Sequence, residues 1–257
     1  MALQKRSILN RLVTEVPEGL PVTSAWLGER LGASRQLVRA YVQNQWLANP
    51  CRGVYVRNLD KLTWLTALVG VQRVAGLSCF PGGVTALQLL GYAHYLPMGA
   101  GSEVVLGGTD APPPWLNRLD LPVSFRALGR RLFATPDSGL VPHPVPGLEE
   151  TLRVPSPPRA MLEVLSEVED EASFTAAYEL FEGLTSLNPT EVRALLLDCT
   201  HIKAKRLFLL MADRAGVAWG RKLEDGEFDL GSGKREVVRG GRLNRRFGVT
   251  VPEGFHD

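Results

Sequence analysis

Apolar residues recur at helical spacing through Trp26, Leu27 and Leu31, stop at Gly32, and resume at Leu37, Val38 and Tyr41. So short a break predicts two helices joined by a tight turn. Gly32 can take the left-handed conformation that ends the first helix, and the Ser34 hydroxyl can cap the second. The first of the two is expected to start near Ser24, with Ser24 as its N-cap. Upstream, Ile8, Leu9, Leu12, Val13 and Val16 predict an amphipathic helix over 5–16, ended by Pro17, Gly19 and Pro21. Downstream, Leu47 and the VYV run at 54–56 read as short strands, joined by turn formers from Asn49 to Gly53. Three helices followed by a hairpin is a winged helix-turn-helix arrangement, expected over residues 1–57.

Projected on a helix, Leu37, Val38 and Tyr41 fall on one side of the segment after Ser34, while Arg35, Gln36, Arg39 and Gln43 gather on the other. These residue types suit the major groove of DNA. Arg presents two donors to guanine O6 and N7, and Gln can pair with adenine in the same two-point fashion. Arg52 in the expected wing turn, and Arg57 beyond it, are candidates for the neighbouring backbone or minor groove. Arg35, Gln36, Arg39, Gln43, Arg52 and Arg57 are therefore the candidate DNA-binding residues.

The formal charge of +2 conceals a strong asymmetry. Residues 1–58 hold eight Lys or Arg against three acids, residues 149–200 three against eleven, and residues 201–247 twelve against six. Two basic segments separated by an acidic one suit two surfaces for anionic partners. Apolar residues at 45% and charged residues at 22% are those of a folded chain. No apolar run approaches the length of a membrane span, and MALQKRSILNRL lacks the apolar core of a signal peptide. With only Cys51, Cys79 and Cys199, the expectation is a cytoplasmic protein without disulfides.

The middle region, 58–148, reads as mixed α/β: a buried helix over 59–76, another over 84–91 introduced by Gly82 and Gly83, and strands at EVVLGG and VSFRAL. Seven prolines between 136 and 158 predict a loop or domain connection. Residues 149–257 then predict four successive helices, the third capped by Asn188 with Pro189 in its first turn, followed by strands and turns from Trp219 onward. The fold class expected is thus α+β: a winged helix, a mixed region, and a helical, basic C-terminal domain.

Outside the first domain the chemistry is less marked. GSGKRE at 231–236 resembles a phosphate-binding loop, but a Walker A motif needs Gly where Phe228 stands, and Arg235 replaces the magnesium-holding Ser or Thr. It reads as a glycine turn flanked by cations. Gly82, Gly83 and Thr85 read as a close-packed helix start, with an anion site as the alternative. Cys199 and His201 lack a second ligand pair, so no metal is expected. His94 reads as a structural histidine, and Glu163, Glu167, Asp170 and Glu171 as a solvated face.

Three stretches taken together, GGVTALQLLGYAHYLP at 82–97, IKAKRLFLLMADRAGVAWGRKL at 202–223 and FDLGSGKREVVRGGRLNRRFGVTVP at 228–252, resemble the AbiEi family of abortive-infection antitoxins and transcriptional regulators. The resemblance implies a non-catalytic antitoxin of a type IV toxin–antitoxin system whose winged helix binds promoter inverted repeats and represses its own operon, as a monomer or as two copies on DNA. It implies no cofactor and a nucleotidyltransferase-like toxin as partner. By position it also implies that Ser34, with Arg35, Gln36 and Arg39, belongs to the DNA-binding recognition helix, and Lys203, Lys205, Arg206, Arg221, Lys222, Lys234, Arg235 and Arg242 become the candidate partner surface. A solitary winged-helix transcription factor, a nucleotide-dependent enzyme built on the Gly231 turn, and a pure interaction protein remain open at this point.

Overall fold

The computed structural model describes residues 2–93, 101–129, 131–223 and 225–255, without the side chains of 2–7 and 225. His94, expected as a structural histidine, lies outside these residues. The chain forms two compact units that alternate along the sequence. The first takes residues 1–80, 98–127 and 142–153, and the second takes 81–97, 128–141 and 154–257.

The first unit begins with helix α1 (Ala2–Glu15), a two-residue strand β1 (Val22–Thr23), helices α2 (Ser24–Leu31) and α3 (Arg35–Gln43), and strands β2 (Ala48–Cys51) and β3 (Val54–Val56). The strands form an antiparallel sheet in the order β1-β3-β2. Their common core is Leu12 and Val16 of α1, Leu27 and Leu31 of α2, Val38 and Tyr41 of α3, with Val22 and Leu47. The termini that bound α2 and the start of α3 are settled locally. Thr23, not the expected Ser24, caps α2 by accepting from the Trp26 N–H. The chain enters one residue earlier because β1, too short to show as an alternation, pairs with β3. Gly32 ends α2 at φ +67, and Ser34 caps α3 through the Leu37 N–H. Asn49 and Pro50, expected in the turn, lie in β2, so Arg52 and Gly53 alone turn the hairpin.

The rest of this unit contains helix α4 (Trp64–Arg73), preceded by a single 3₁₀ turn at Leu59–Lys61, where the sequence had suggested one longer helix. The split comes from Thr63, whose side chain makes a capping box with Thr66. Strands β4 (Cys79–Pro81), β5 (Ser102–Gly108) and β6 (Val123–Ala127) form a sheet in that order, with β5 and β6 parallel. The buried Gln72 of α4 ties the backbone of Cys79 and Arg153 together, its side-chain amide donating to both carbonyls and accepting from the Arg153 N–H at 2.9 to 3.1 Å. Gly108, at φ +130, passes so close to Ser78 that a Cβ would lie 1.9 Å from its carbonyl oxygen.

The proline-rich stretch expected as a connection is partly structured. Strands β7 (Leu140–Pro144) and β8 (Thr151–Pro155) pair within it, and the passages between units also fall there. Proline lacks only the N–H, and in a two-stranded pair half of the N–H groups have no ladder role.

The second unit is centred on helix α9. Around it are α5 (Gly83–Leu89), α6 (Pro157–Ser166), α7 (Glu171–Glu182), α8 (Pro189–Asp198) and α9 (Ile202–Arg214) itself, in the positions the sequence suggested. A small sheet follows, ordered β10-β11-β9, from β9 (Arg235–Glu236), β10 (Arg242–Asn244) and β11 (Val249–Val251). Met161, Leu165, Phe174, Phe181, Leu207, Phe208 and Met211 are completely buried in its core. Phe181 meets Phe208 edge to face at 5.2 Å, and the Trp219 indole N–H donates to the Leu184 carbonyl at 2.8 Å.

Glu163, expected on a solvated face, is instead 2% exposed. One carboxylate oxygen accepts from the Gly83 N–H at 2.8 Å and the other from Arg159 Nε at 3.2 Å. Arg159 continues to the carbonyls of Pro136 and Ser138 and stacks on Phe133. Thus the anion at the start of α5 is the chain's own carboxylate. Burial pushes the Glu163 carboxyl above its ordinary range, with Arg159 opposing the shift.

Candidate nucleic-acid interface

α3 has two unlike sides. Val38 and Tyr41 are buried at 4% and 6% exposure, with Leu37 and Val42 half-buried beside them. The opposite side exposes Ser34, Arg35, Gln36, Arg39 and Gln43. Gln36, Arg39 and Gln43 follow at intervals of three and four, so they form one stripe along the helix, and Arg35 lies one turn before Arg39. Among the described residues, Arg35, Gln36, Arg39 and Gln43 have no side-chain hydrogen bond or ion pair. Four long polar side chains are thereby left to solvent or to a partner.

The far end of α3 is closed by an unusual turn. Gln45 takes φ +61, a left-handed value that costs a non-glycine residue strain, so that the Trp46 N–H reaches back to the Tyr41 carbonyl at 2.9 Å. This leaves Trp46 48% exposed directly after the polar stripe. The sequence reading missed this residue. Its only signal there was a tryptophan outside the apolar periodicity.

The β2–β3 turn is fixed by Asn49, whose amide donates to the carbonyls of Cys51 and Val54 at 2.7 and 2.6 Å, and by Gly53 at φ +81. Arg52 stands exposed at the tip with no intramolecular partner among the described residues. Arg57 is different. Its Nη1 donates to the carbonyls of Val13 and Val16 at 2.5 and 2.6 Å, and Nη2 approaches Glu18 at 3.6 Å. It seals the C-terminal end of α1, where unpaired carbonyls need a donor, and belongs to the frame rather than to an exposed basic surface. Arg11 and Arg30 are joined by Glu15, at 2.7 and 3.1 Å. The Arg11 hydrogen bond holds the Glu15 carboxyl below its ordinary range. Of the first basic segment, then, Arg35, Arg39 and Arg52 present uncommitted charge among the residues singled out for DNA.

The second basic segment divides in the same way. Arg221, Lys222, Lys234, Arg235 and Arg242 are exposed, Arg242 paired with Glu253 at 2.7 Å. Lys203 is half-buried and donates to the Val168 carbonyl at 2.7 Å. Lys205 and Arg206, expected on a partner surface, are each 4% exposed, because residues 204–212 of α9 are buried in the core of their unit. Arg206 spreads its guanidinium over four carbonyls: Leu230 and Gly233 at 2.7 Å, Gly248 at 2.9 Å and Gly231 at 3.1 Å. Gly231 and Gly233, at φ +61 and +74, turn the chain so that these carbonyls converge, and the GSGK loop is an arginine-bound turn. Nearby, His201 Nδ1 accepts from the Ala204 N–H to cap α9, and the Cys199 thiol points to the His201 carbonyl. No group of three or more metal-binding side chains occurs among the described residues.

Two family models match the chain. Residues 5–98 match the N-terminal domain described as "Transcriptional regulator, AbiEi antitoxin N-terminal domain". Residues 101–252 match "Transcriptional regulator, AbiEi antitoxin, Type IV TA system". Among solved structures, the crystal structure of the RV2827C protein from Mycobacterium tuberculosis is similar, with a TM-score of 0.58 at 15% identity, over 97% of this chain and 91% of that one. At that identity the likeness is one of fold. No curated protein matches.

Proposed function

Because the chain belongs to the AbiEi family of transcriptional regulators, the antitoxins of type IV toxin–antitoxin systems, we propose that it represses its own operon by binding promoter inverted repeats through an N-terminal winged helix. In this reading α3 is the recognition helix and the Arg52–Gly53 turn is the tip of the wing. The observation that carries it is the stripe of Gln36, Arg39 and Gln43 with Arg35 beside it, exposed and uncommitted on a helix whose other side anchors the domain core.

Arg35 and Arg39 supply paired donors for guanine, Gln36 pairs with adenine, and Gln43 reaches a base or phosphate. Ser34 caps the helix whose N-terminal end meets the groove, leaving its N–H groups favourable to a phosphate. Arg52 adds charge at the neighbouring strand, which gives affinity without sequence information. Inverted repeats place two copies of the chain on the duplex, each reading one half-site, as monomers that cooperate or as a dimer.

The family is one of regulators and antitoxins rather than enzymes. The second unit acts as the antitoxin, opposing a nucleotidyltransferase-like toxin, with Arg221, Lys222, Lys234, Arg235 and Arg242 as the accessible cations for an acidic partner. No helix among the described residues is long and apolar enough to cross a membrane, and the site of action is the bacterial cytoplasm, where promoter and toxin are found. Gel-shift titration with the DNA upstream of the gene tests the reading. Saturable binding that exceeds binding to a scrambled duplex at about 150 mM salt supports it, and equal affinity for the two overturns it.

A further inference from the structure

We propose that the first unit also holds a binding site for a small planar organic cation, in the cavity between α2, α4 and the segment at Trp115. The proposal does not depend on the DNA reading.

The cavity has a volume of about 240 Å³ and is lined by Pro21, Thr23, Trp26, Glu29, Val74 and Trp115, among others. Drug-sized sites occupy roughly 300–1,000 Å³, so this one suits one or two fused rings. Trp26 and Val74 also border a more open cleft of about 470 Å³ that adds Glu149, Glu150 and Arg73. Trp26 therefore stands between the two spaces.

Three features define the ligand. The first is the pair of indoles, Trp26 half-buried and Trp115 8% exposed, whose π faces attract both flat rings and positive charge. The second is charge. Glu29 in the cavity and Glu149 and Glu150 in the cleft have no ion-pair partner among the described residues, and Arg73 is the single cation lining either space. Glu15, which also borders the cleft, is already held by Arg11 and Arg30. An anion is thus disfavoured and a cation favoured, in a place the polar stripe of α3 does not share. The third is Trp115 itself. Its ring is more than nine-tenths buried, while its N–H donates to no atom among the described residues and is not sealed from solvent, which leaves it open to an acceptor from outside the chain. A ligand with a hydrogen-bond acceptor on one edge and positive charge elsewhere on its ring suits both Trp115 and Glu29.

The test uses the full chain and a matched pair of probes. 1-Methylnicotinamide is a flat pyridinium with a carboxamide oxygen as acceptor, and nicotinamide has the same shape and acceptor without the charge. Calorimetry and tryptophan fluorescence should show one saturable site that binds the cation about tenfold more tightly than the neutral probe. Glu29→Gln, an exposed change that leaves the core untouched, should reduce that preference to about threefold, and Trp115→Phe should weaken both probes about equally, by roughly fivefold. Far-ultraviolet dichroism checks that both variants are folded. The proposal is overturned by the absence of saturable binding of either probe up to about 10 mM, by equal affinity for the two, or by a preference undiminished in Glu29→Gln.

Discussion

Replacing Arg206 with Met should destabilise the second unit severely while leaving the first unit's surface unchanged. The guanidinium makes four hydrogen bonds to carbonyls of Leu230, Gly231, Gly233 and Gly248. A hydrogen bond to a charged group contributes about 1.5–3 kcal/mol. Gly231 and Gly233 are exposed, so water replaces much of what they lose, whereas Leu230 and Gly248 are half-buried and recover less. Counting the first two carbonyls at about half weight gives about 4.5–9 kcal/mol for the bonds themselves, and because removing the guanidinium also relieves its own burial cost while Met keeps the aliphatic stem, the net loss is about 3–5 kcal/mol. Arg206→Lys keeps the charge but has one nitrogen in place of a planar fork, and should lose about 2–3 kcal/mol. Lys234→Ala, at an exposed position in the same loop, is the control and should change stability by no more than about 0.5 kcal/mol. Urea unfolding followed by tryptophan fluorescence and dichroism reads all three. If Arg206→Met cost less than about 1 kcal/mol, the guanidinium would not be organising the loop, and a surface role would regain its standing.

Three further outcomes follow from local geometry and pH. Gln45→Gly should raise stability by about 0.5 kcal/mol, and the melting temperature by 1–2 °C, because glycine takes the φ of +61 without strain; a fall would contradict the strain argument. Gly108→Ala should cost about 3 kcal/mol or more, since its Cβ would collide with the Ser78 carbonyl, and near-native unfolding in urea would refute that close approach. Acid should destabilise the fold. The carboxyls of Glu15, Glu18, Asp170 and Glu227 are held below their ordinary values by Arg11, Lys61, the Ser173 hydroxyl and Arg193 respectively. The unfolded chain then takes up protons first as pH falls, so this stabilisation is present above about pH 4.5 and is lost through the lower folded values. Glu163, pushed upward, acts in the opposite sense but at higher pH. Melting temperatures that stayed flat between about pH 4.5 and 3 would refute the assignment.

What the sequence made legible follows from where the determinants are local. The α2–turn–α3 unit was readable because Gly32 and Ser34 decide it within three residues, and the two sides of α3 because helical spacing alone separates Val38 and Tyr41 from Arg39 and Gln43. The Asn188–Pro189 start of α8 was local in the same sense. Determinants distant in sequence stayed hidden. β1 exists only through its pairing with β3, some thirty residues later. Arg57, Lys205 and Arg206 counted as surface charge because a cation is usually solvated, and nothing nearby showed that Arg57 meets the end of α1 or that Arg206 meets a turn of converging carbonyls. Glu163 misled for the same reason, its partner Gly83 lying eighty residues away. The alternation of the chain between two units also leaves no local mark in composition. Of the candidate DNA-binding residues, the five on and before α3 and Arg52 stand exposed as their spacing suggested, and Arg57 does not stand with them.

The most direct measurement is the salt dependence of binding to the upstream DNA and to a scrambled duplex, for the wild type, Arg39→Ala and Arg52→Ala. Arg39 has no intramolecular partner among the described residues, so its loss should leave the melting temperature unchanged while lowering specific affinity by about 1–3 kcal/mol and sparing the scrambled duplex. Arg52→Ala should instead weaken both duplexes alike and flatten the slope of log affinity against log salt by about one phosphate contact. If the two variants behaved identically on the two duplexes, α3 would not be the element that reads sequence.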